Sequence, residues 1–95
     1  MSAYIIAEVR VDDPETYKVY QKDTPDTVKK FGGEFIVRGG DPEGIEGDFR
    51  ESRIVIIKFS SRDKALSWYN SSSYQSIVGI RHSASEGRMV LVDGA

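Results

Sequence analysis

Alternating apolar and polar side chains predict two strands in the first half of the chain. From Tyr4 to Val11 every second side chain is apolar, which is typical of a half-buried strand. A shorter alternation over Glu34 to Arg38 places Phe35 and Val37 on one face and Arg38 on the other. Both strands therefore have one face suited to a core.

Two more strands are predicted in the second half. Arg53 to Phe59 contains four successive aliphatic residues, as in a strand covered on both faces, and we expect it to be central. Arg88 to Val92 predicts a final strand. A glycine-rich connection over Asp41 to Ser52 precedes the third strand; loops of about a dozen residues are uncommon in compact domains and often take part in function or contacts.

Apolar residues at steps of three and four predict a helix after the first strand. Asp13 can cap its free amides, and Pro14 suits its first turn. Pro25 predicts one helix with a local irregularity, or a restart with Thr24 as a second cap. The inner stripe of this helix carries Tyr17, Tyr20, Thr24, Val28 and Phe31.

A second helical region follows the third strand. Ser60 or Ser61 can cap a helix over Arg62 to Tyr69. Ser72 and Gln75 have the spacing of a capping box, which predicts a further helical segment. One side of that segment carries Tyr74, Ile77, Val78 and Arg81.

This order of elements predicts a single domain over residues 1–95 with an α+β, ferredoxin-like fold. Its helices would cover one face of a four-stranded antiparallel sheet (βαββαβ). The opposite face mixes apolar and charged side chains, such as Ile6 with Glu8 and Arg10. A second copy packed there, enclosing a partly polar cavity, would explain both kinds of residue, so we expect a homodimer.

Composition and charge exclude several kinds of site. The chain has no cysteine and one histidine, which excludes disulfides, thiolate zinc sites and imidazole clusters. Thirteen basic against 15 acidic residues give a net charge of −2, without the basic excess that nucleic-acid binding needs. No membrane span or signal peptide is visible. We expect a cytoplasmic protein that uses no metal, cofactor, nucleic acid or membrane.

Several linked motifs extend over nearly the whole chain. They are Val11-Asp12-Asp13-Pro14-Glu15 with Tyr17 and Tyr20; Gly32-Gly33 with Phe35 and Arg38-Gly39-Gly40; Glu46-Gly47-Asp48-Phe49 with Arg53 and Val55; Ala65, Trp68-Tyr69, Ser71 and Tyr74-Gln75; and Arg81. Together these motifs closely resemble the DUF1330 family of small bacterial proteins. Phe49 stands where that family more often has tryptophan.

The resemblance implies a dimeric α/β barrel, in which two ferredoxin-like subunits pack sheet against sheet and each can hold a small molecule. The related families in that superfamily include cofactor-independent monooxygenases, muconolactone isomerase-like enzymes and heme-degrading proteins. The family itself has no settled function. The resemblance therefore bears on fold and assembly more than on activity.

Two arginines and one carboxylate are the main polar candidates for a site. Arg38 ends a strand beside Gly39, where a ligand can approach closely, and a guanidinium there can clamp a carboxylate. Arg53 could face the same cavity. Glu46 is the candidate proton acceptor, since removal from water raises the pKa of a carboxylate. The alternatives are an ion pair of Arg38 with Glu46, an ion pair of Arg53 with Glu46 or Asp48, and a turn or interface role for the Glu46 carboxylate.

The aromatic candidates each have a structural alternative. Tyr17 and Tyr20 could bind a ligand, with Tyr17 also a catalytic candidate, or could pack with one local hydrogen bond each. Trp68 and Tyr74 could form the wall of a ligand pocket or belong to the core. His82, near a helix end, is expected to interact with the helix dipole.

Two functions remain open from the sequence. One is a homodimer that binds a small anionic metabolite through Arg38, Arg53 and Tyr17, with or without cofactor-free isomerase or monooxygenase-like chemistry. The other is a non-catalytic dimeric module whose arginines form structural ion pairs. RNA recognition is disfavoured, because the single Arg-Gly-Gly lies in an acidic domain and the strands lack the basic, aromatic pattern.

Overall fold

A computed structural model describes residues 1–49 and 52–95 and shows the predicted order of elements. The last strand begins at Ser85, earlier than predicted, because it pairs with β1 along its whole length. The helices within the described ranges are too short or too polar to cross a lipid bilayer. The elements are β1 (Ala3–Val11), α1 (Pro14–Lys30), β2 (Glu34–Gly39), β3 (Arg53–Phe59), α2 (Arg62–Tyr69), α3 (Ser72–Ala84) and β4 (Ser85–Asp93).

The four strands form one antiparallel sheet in the order β2-β3-β1-β4. The helices cover one face of this sheet, so the α+β, ferredoxin-like prediction is confirmed. β3 lies between β2 and β1, in the central position expected from its aliphatic run. The core between the sheet and the helices includes Ile5, Val9, Ile57 and Phe59 from the strands and Tyr17, Val28, Trp68 and Tyr74 from the helices.

Helix α1 is continuous through Pro25. Asp13 caps its start by accepting hydrogen bonds from the Thr16 amide and hydroxyl, and these bonds lower the pKa of Asp13. The Thr24 hydroxyl donates to the Tyr20 carbonyl within the helix, so Thr24 is not a second cap. At the other end, the Gly33 amide donates to the Val28 carbonyl at 3.0 Å, which closes the helix against the sheet.

The connection between α2 and α3 corrects one prediction. Ser61 caps α2, but the capping box of Ser72 and Gln75 is wrong, because Ser71 caps α3 by accepting from the Tyr74 amide. The Ser71 hydroxyl also donates to the Trp68 carbonyl at 2.6 Å. One side chain thus joins the end of α2 to the start of α3.

A β-bulge in β2 corrects the predicted face of Arg38. Phe35 pairs with Ile57 and Arg38 pairs with Val55, with a register shift between Phe35 and Val37. The extra residue places Arg38 on the helix-facing side together with Phe35. The predicted placement of Arg38 opposite Phe35 is therefore wrong, and this guanidinium lies on the side of the sheet that holds the cavity.

Candidate ligand-binding cavity

A cavity of about 140 Å³ lies between α1 and the helix-facing side of the sheet. Its lining joins strand and helix residues, and a cavity enclosed between two copies on the other face stays a prediction. Small side chains such as Ala7 leave room above the sheet, and the bulge directs Arg38 to this side. The lining residues are Ala7, Val9, Phe35, Arg38, Arg53, Val55, Ile57 and Met89 from the strands and Tyr17, Tyr20, Gln21, Thr24, Pro25, Trp68 and Arg81 from the helices.

Three arginines from three different elements line this cavity: Arg38 of β2, Arg53 of β3 and Arg81 of α3. Arg38 is exposed, and its guanidinium carbon lies 4.1 Å from the centroid of the Phe35 ring. This cation–π contact holds the side chain over the apolar floor. A guanidinium above a ring can still donate hydrogen bonds from its N–H groups.

Arg53 is half-buried beside Gly39. A Cβ atom at Gly39 would lie 3.3 Å from Nη1 of Arg53, and the backbone there has a φ of +88°. Glycine at this position therefore serves both the turn and the close approach of the guanidinium. Among the described residues, the buried Nε of Arg53 has no hydrogen-bond partner.

Arg81 is the most deeply buried of the three arginines, with only 5% of its surface exposed. Its Nη2 lies 3.3 Å from Nε2 of His82, while its buried Nε has no hydrogen-bond partner in the described part of the chain. A buried guanidinium without a full set of partners is costly in a folded protein. Burial acts to lower the pKa of Arg81, but the nearby phenols of Tyr74 and Tyr20 raise it overall, so the guanidinium stays charged.

No carboxylate from residues 1–49 and 52–95 lines the cavity. Glu46 lies in an exposed stretch of the connection before β3, so its predicted removal from water does not occur. The ion pairs of the described residues do not join Glu46 to Arg38 or Arg53 either. The cavity therefore has a strongly positive lining, and an anion from outside the chain can neutralise it.

The cavity tyrosines are suited to donating hydrogen bonds. Burial raises the pKa of Tyr17, although the charges of Arg53 and Arg81 act in the opposite direction. Burial, followed by the neighbouring Tyr74, also raises the pKa of Tyr20. Both phenols stay protonated at neutral pH, so neither is a phenolate base in the free protein.

The remaining aromatic candidates belong mainly to the core. The hydroxyl groups of Tyr20 and Tyr74 are 2.7 Å apart, and Tyr74 is completely buried outside the cavity lining. The ring centroids of Trp68 and Tyr74 lie 4.2 Å apart, and Nε1 of Trp68 donates to the Thr27 hydroxyl at 3.0 Å. Trp68 contributes to the cavity wall while its indole N–H is already used inside the fold.

Arg81 lines the cavity but is not among the site candidates that the sequence indicates. The sequence places Arg81 on one side of α3 with Tyr74, Ile77 and Val78, at a spacing that predicts burial. A charged residue on a buried stripe is uncommon, and that mismatch was the available signal. The adjacent His82 is exposed and does not line the cavity.

The arrangement can bind an anion but holds few groups for proton abstraction. Neither a histidine nor a carboxylate of the described chain lines the cavity. Residues 1–49 and 52–95 also contain no group of three side chains that could hold a metal ion. The cavity can stabilise a negative charge with its guanidinium groups and can donate a hydrogen bond from Tyr17.

Both natural and designed proteins of known structure share this fold. The RPA0582 protein of unknown function from Rhodopseudomonas palustris has a TM-score of 0.81 at 16% identity, over 99% of this chain and 82% of that one. SnoaB, a cofactor-independent oxygenase from Streptomyces nogalater, has a TM-score of 0.71 at 13% identity, over 99% and 93%. The de novo designed protein Foldit4 has a TM-score of 0.62 at 14% identity, over the whole of both chains.

These similarities show the ferredoxin-like fold and nothing finer. A comparison with curated proteins finds no match. A family model described as a domain of unknown function, DUF1330, matches residues 2–95. The match spans nearly the whole chain and agrees with the motifs seen in the sequence, and so this protein belongs to the DUF1330 family.

Proposed function

We propose that this protein binds a small organic anion in the cavity between α1 and the sheet. The observation that carries the proposal is Arg81, a guanidinium that is 5% exposed, lines the cavity and has an Nε without a partner among the described residues. Desolvating a charge of this kind costs several kcal/mol by general estimates, and a bound anion recovers part of that cost. Arg53 adds a second guanidinium with a buried, unpartnered Nε in the described chain.

The size and polarity of the cavity narrow the class of ligand. Its volume of about 140 Å³ is close to the roughly 150 Å³ of engineered protein cavities that accept benzene. The floor is apolar, with Val9, Val55 and Ile57 facing the arginines. A molecule with one ring or a short carbon chain and at least one carboxylate fits both features.

Binding is favoured over catalysis as the primary activity. The described cavity residues include no free carboxylate or imidazole to act as a base, and Tyr17 remains protonated at neutral pH. If the protein also transforms its ligand, the arginines are suited to stabilising an anion that develops during the reaction, with Tyr17 as a hydrogen-bond donor. SnoaB shares the fold and is a cofactor-independent oxygenase, which makes such chemistry a second proposal for this cavity.

Isothermal titration calorimetry with benzoate tests the binding proposal. We expect saturable binding of benzoate, and at least tenfold weaker binding of the uncharged benzyl alcohol. Arg53→Met should weaken benzoate binding at least tenfold, because charge-assisted hydrogen bonds contribute about 1.5–3 kcal/mol each. The matched control is Arg62→Met, which removes an exposed arginine paired with Asp93 outside the cavity.

Two results would contradict the binding proposal. Equal affinity for benzoate and benzyl alcohol would show that the charge of the lining does not select the ligand. An equal effect of Arg53→Met and Arg62→Met would show that benzoate responds only to the overall charge of the protein.

We also propose that the protein is a homodimer that packs through the outer face of the sheet, the face away from the helices. The pairing register places one apolar residue from each strand side by side there, Val37, Ile56, Ile6 and Val90, which we call the apolar row. Val90 is 52% exposed. Contiguous apolar surface of this kind marks an interaction site. A cytoplasmic location stays a prediction.

Charged pairs border the apolar row and suit a specific contact between two copies. Arg88 donates to Glu8 at 3.2 Å in the next row of the sheet, and Arg10 pairs with Glu86 in the row after that. Acidic and basic side chains are balanced on this face, unlike the surface of a nucleic-acid-binding sheet. A second copy, with the same apolar row and the same charges, is the partner that fits.

A further inference from the structure

The geometry points to a ligand with two separate anionic groups, for which a dicarboxylate on a single ring is the fitting class. This inference rests on the proposed binding function and specifies its ligand. Three arginines line one cavity, and the described lining residues contain no negative charge. One carboxylate neutralises part of the positive charge of the three arginines, whereas two carboxylates neutralise more of it.

The first positive centre lies in the interior. Tyr17 and Arg81 both line the cavity, and they are 4% and 5% exposed. We call these two residues the inner centre. Arg53 is half-buried and reaches Gly39, beside the second centre. A carboxylate at the inner centre can accept from one guanidinium group and one phenol in a region with little water.

The second positive centre is Arg38 at the edge of the sheet. Its guanidinium is stacked on Phe35 at 4.1 Å, and no described acidic side chain pairs with it. Stacking restricts the orientation of this side chain and so reduces the entropy that is lost when a ligand binds. The N–H groups at the edge of the guanidinium remain available for a bidentate contact with a carboxylate.

The two centres lie at different depths of the cavity. Arg38 belongs to β2, an edge strand of the sheet, and is exposed, whereas Arg81 belongs to α3 and is 5% exposed. One exposed and one buried guanidinium group in the same cavity favour two anionic groups on a rigid body over one anionic group. The apolar floor between them suits a ring.

Calorimetric titrations with benzoate, isophthalate, terephthalate and phenyl phosphate test this inference. For the unmodified protein we expect the better of the two dicarboxylates to bind at least tenfold more tightly than benzoate. Phenyl phosphate, which carries its negative charge at one end, should bind more weakly than that dicarboxylate. These ligands share a single ring, so the comparison isolates the number and position of the charges.

Arg38→Met identifies the second centre. The variant should lose at least tenfold more affinity for the dicarboxylate than for benzoate, because only the dicarboxylate can contact both centres. Arg38 is exposed, so the variant should fold normally, and Arg62→Met controls for the loss of one positive charge. Arg38→Lys should recover only part of the affinity, because an ammonium group lacks the bidentate geometry.

The outcomes separate this inference from the proposed function. Equal affinities for benzoate and the dicarboxylates would overturn the inference of two centres and leave anion binding standing. Tightest binding of phenyl phosphate, with no effect of Arg38→Met on the dicarboxylates, would overturn it in favour of one centre. Failure of all four probes to bind would overturn the proposed function and this inference with it.

Discussion

Arg81→Met is expected to stabilise the ligand-free protein while it removes anion binding. Arg81 is buried, and its Nε has no partner among the described residues, so the side chain carries a desolvation cost, against which the phenols of Tyr74 and Tyr20 favour its charge. Methionine fills most of the same volume without a charge, and it leaves no acidic partner of the described chain unpaired. Replacing a buried ion pair by apolar residues is often neutral or stabilises a fold by about 1–4 kcal/mol, and we expect about 1–3 kcal/mol for this single unpaired group.

Thermal and urea denaturation measure this effect. In a domain of this size each kcal/mol shifts the melting temperature by roughly 4–8 °C, so the increase is readily detected. Arg62→Met, which removes an exposed arginine, should change the free energy of unfolding by about 0.5 kcal/mol or less. An Arg81→Met protein that unfolds more easily than the unmodified one would show that Arg81 has a structural role, and would remove the main support for the anion site.

Ile56→Glu is expected to convert the proposed dimer to a monomer. Ile56 lies between Ile6 and Val37 in the apolar row, with its side chain on the outer face. A carboxylate at the centre of an apolar contact loses its hydration, and two copies related by symmetry would each bring one. We expect sedimentation equilibrium to show a dimer for the unmodified protein and a monomer with unchanged circular dichroism for Ile56→Glu.

The matched control makes the same chemical change on the helical layer. Val19 is 49% exposed on α1, so Val19→Glu adds an identical charge in place of an exposed aliphatic residue. This variant should remain a dimer. Equal dissociation of both variants would assign the interface to something other than the outer face, and a monomeric unmodified protein would overturn the dimer altogether.

Periodicity predicted the elements of the fold because most of them obey a single rule along their length. β1 alternates, β3 contains four successive aliphatic residues, and α1 has a cap at Asp13 and a closing pair of glycines. These local signals agree with the tertiary packing. The order of elements then left few alternatives to the ferredoxin-like arrangement.

The side of the sheet on which Arg38 lies could not be predicted from periodicity. A one-residue insertion in a strand reverses every later side chain, and nothing in the run from Phe35 to Arg38 marks the bulge. The cap of α3 was missed for a related reason. Ser71, Ser72 and Ser73 are chemically equivalent in the sequence, and Ser71 is distinguished by accepting from the Tyr74 amide and donating to the Trp68 carbonyl.

The site was predicted in part. Arg38, Arg53, Tyr17 and Tyr20 were chosen for their chemistry, and the structure brings all four to one cavity. Glu46 was also chosen for its chemistry, but burial depends on what covers a loop, which periodicity does not report. The interior position of Arg81 was visible in its spacing, and the conflict between that spacing and its charge is what singles it out.

The fold alone does not identify a ligand. A designed protein and an oxygenase both share this architecture, so the assignment must rest on the side chains of the cavity. In this chain those side chains are three arginines and a protonated phenol around an apolar floor. They are the specific basis for proposing an organic anion.

The most direct test is to follow the arginine Nε–Hε signals by ¹H–¹⁵N NMR while benzoate is added. The account predicts saturable shifts of the Arg81 and Arg53 signals, since their buried Nε atoms have no partner among the described residues. Exposed arginines outside the cavity, such as Arg62, should move little. Unchanged Arg81 and Arg53 signals at benzoate concentrations that shift the exposed arginines would contradict the anion site.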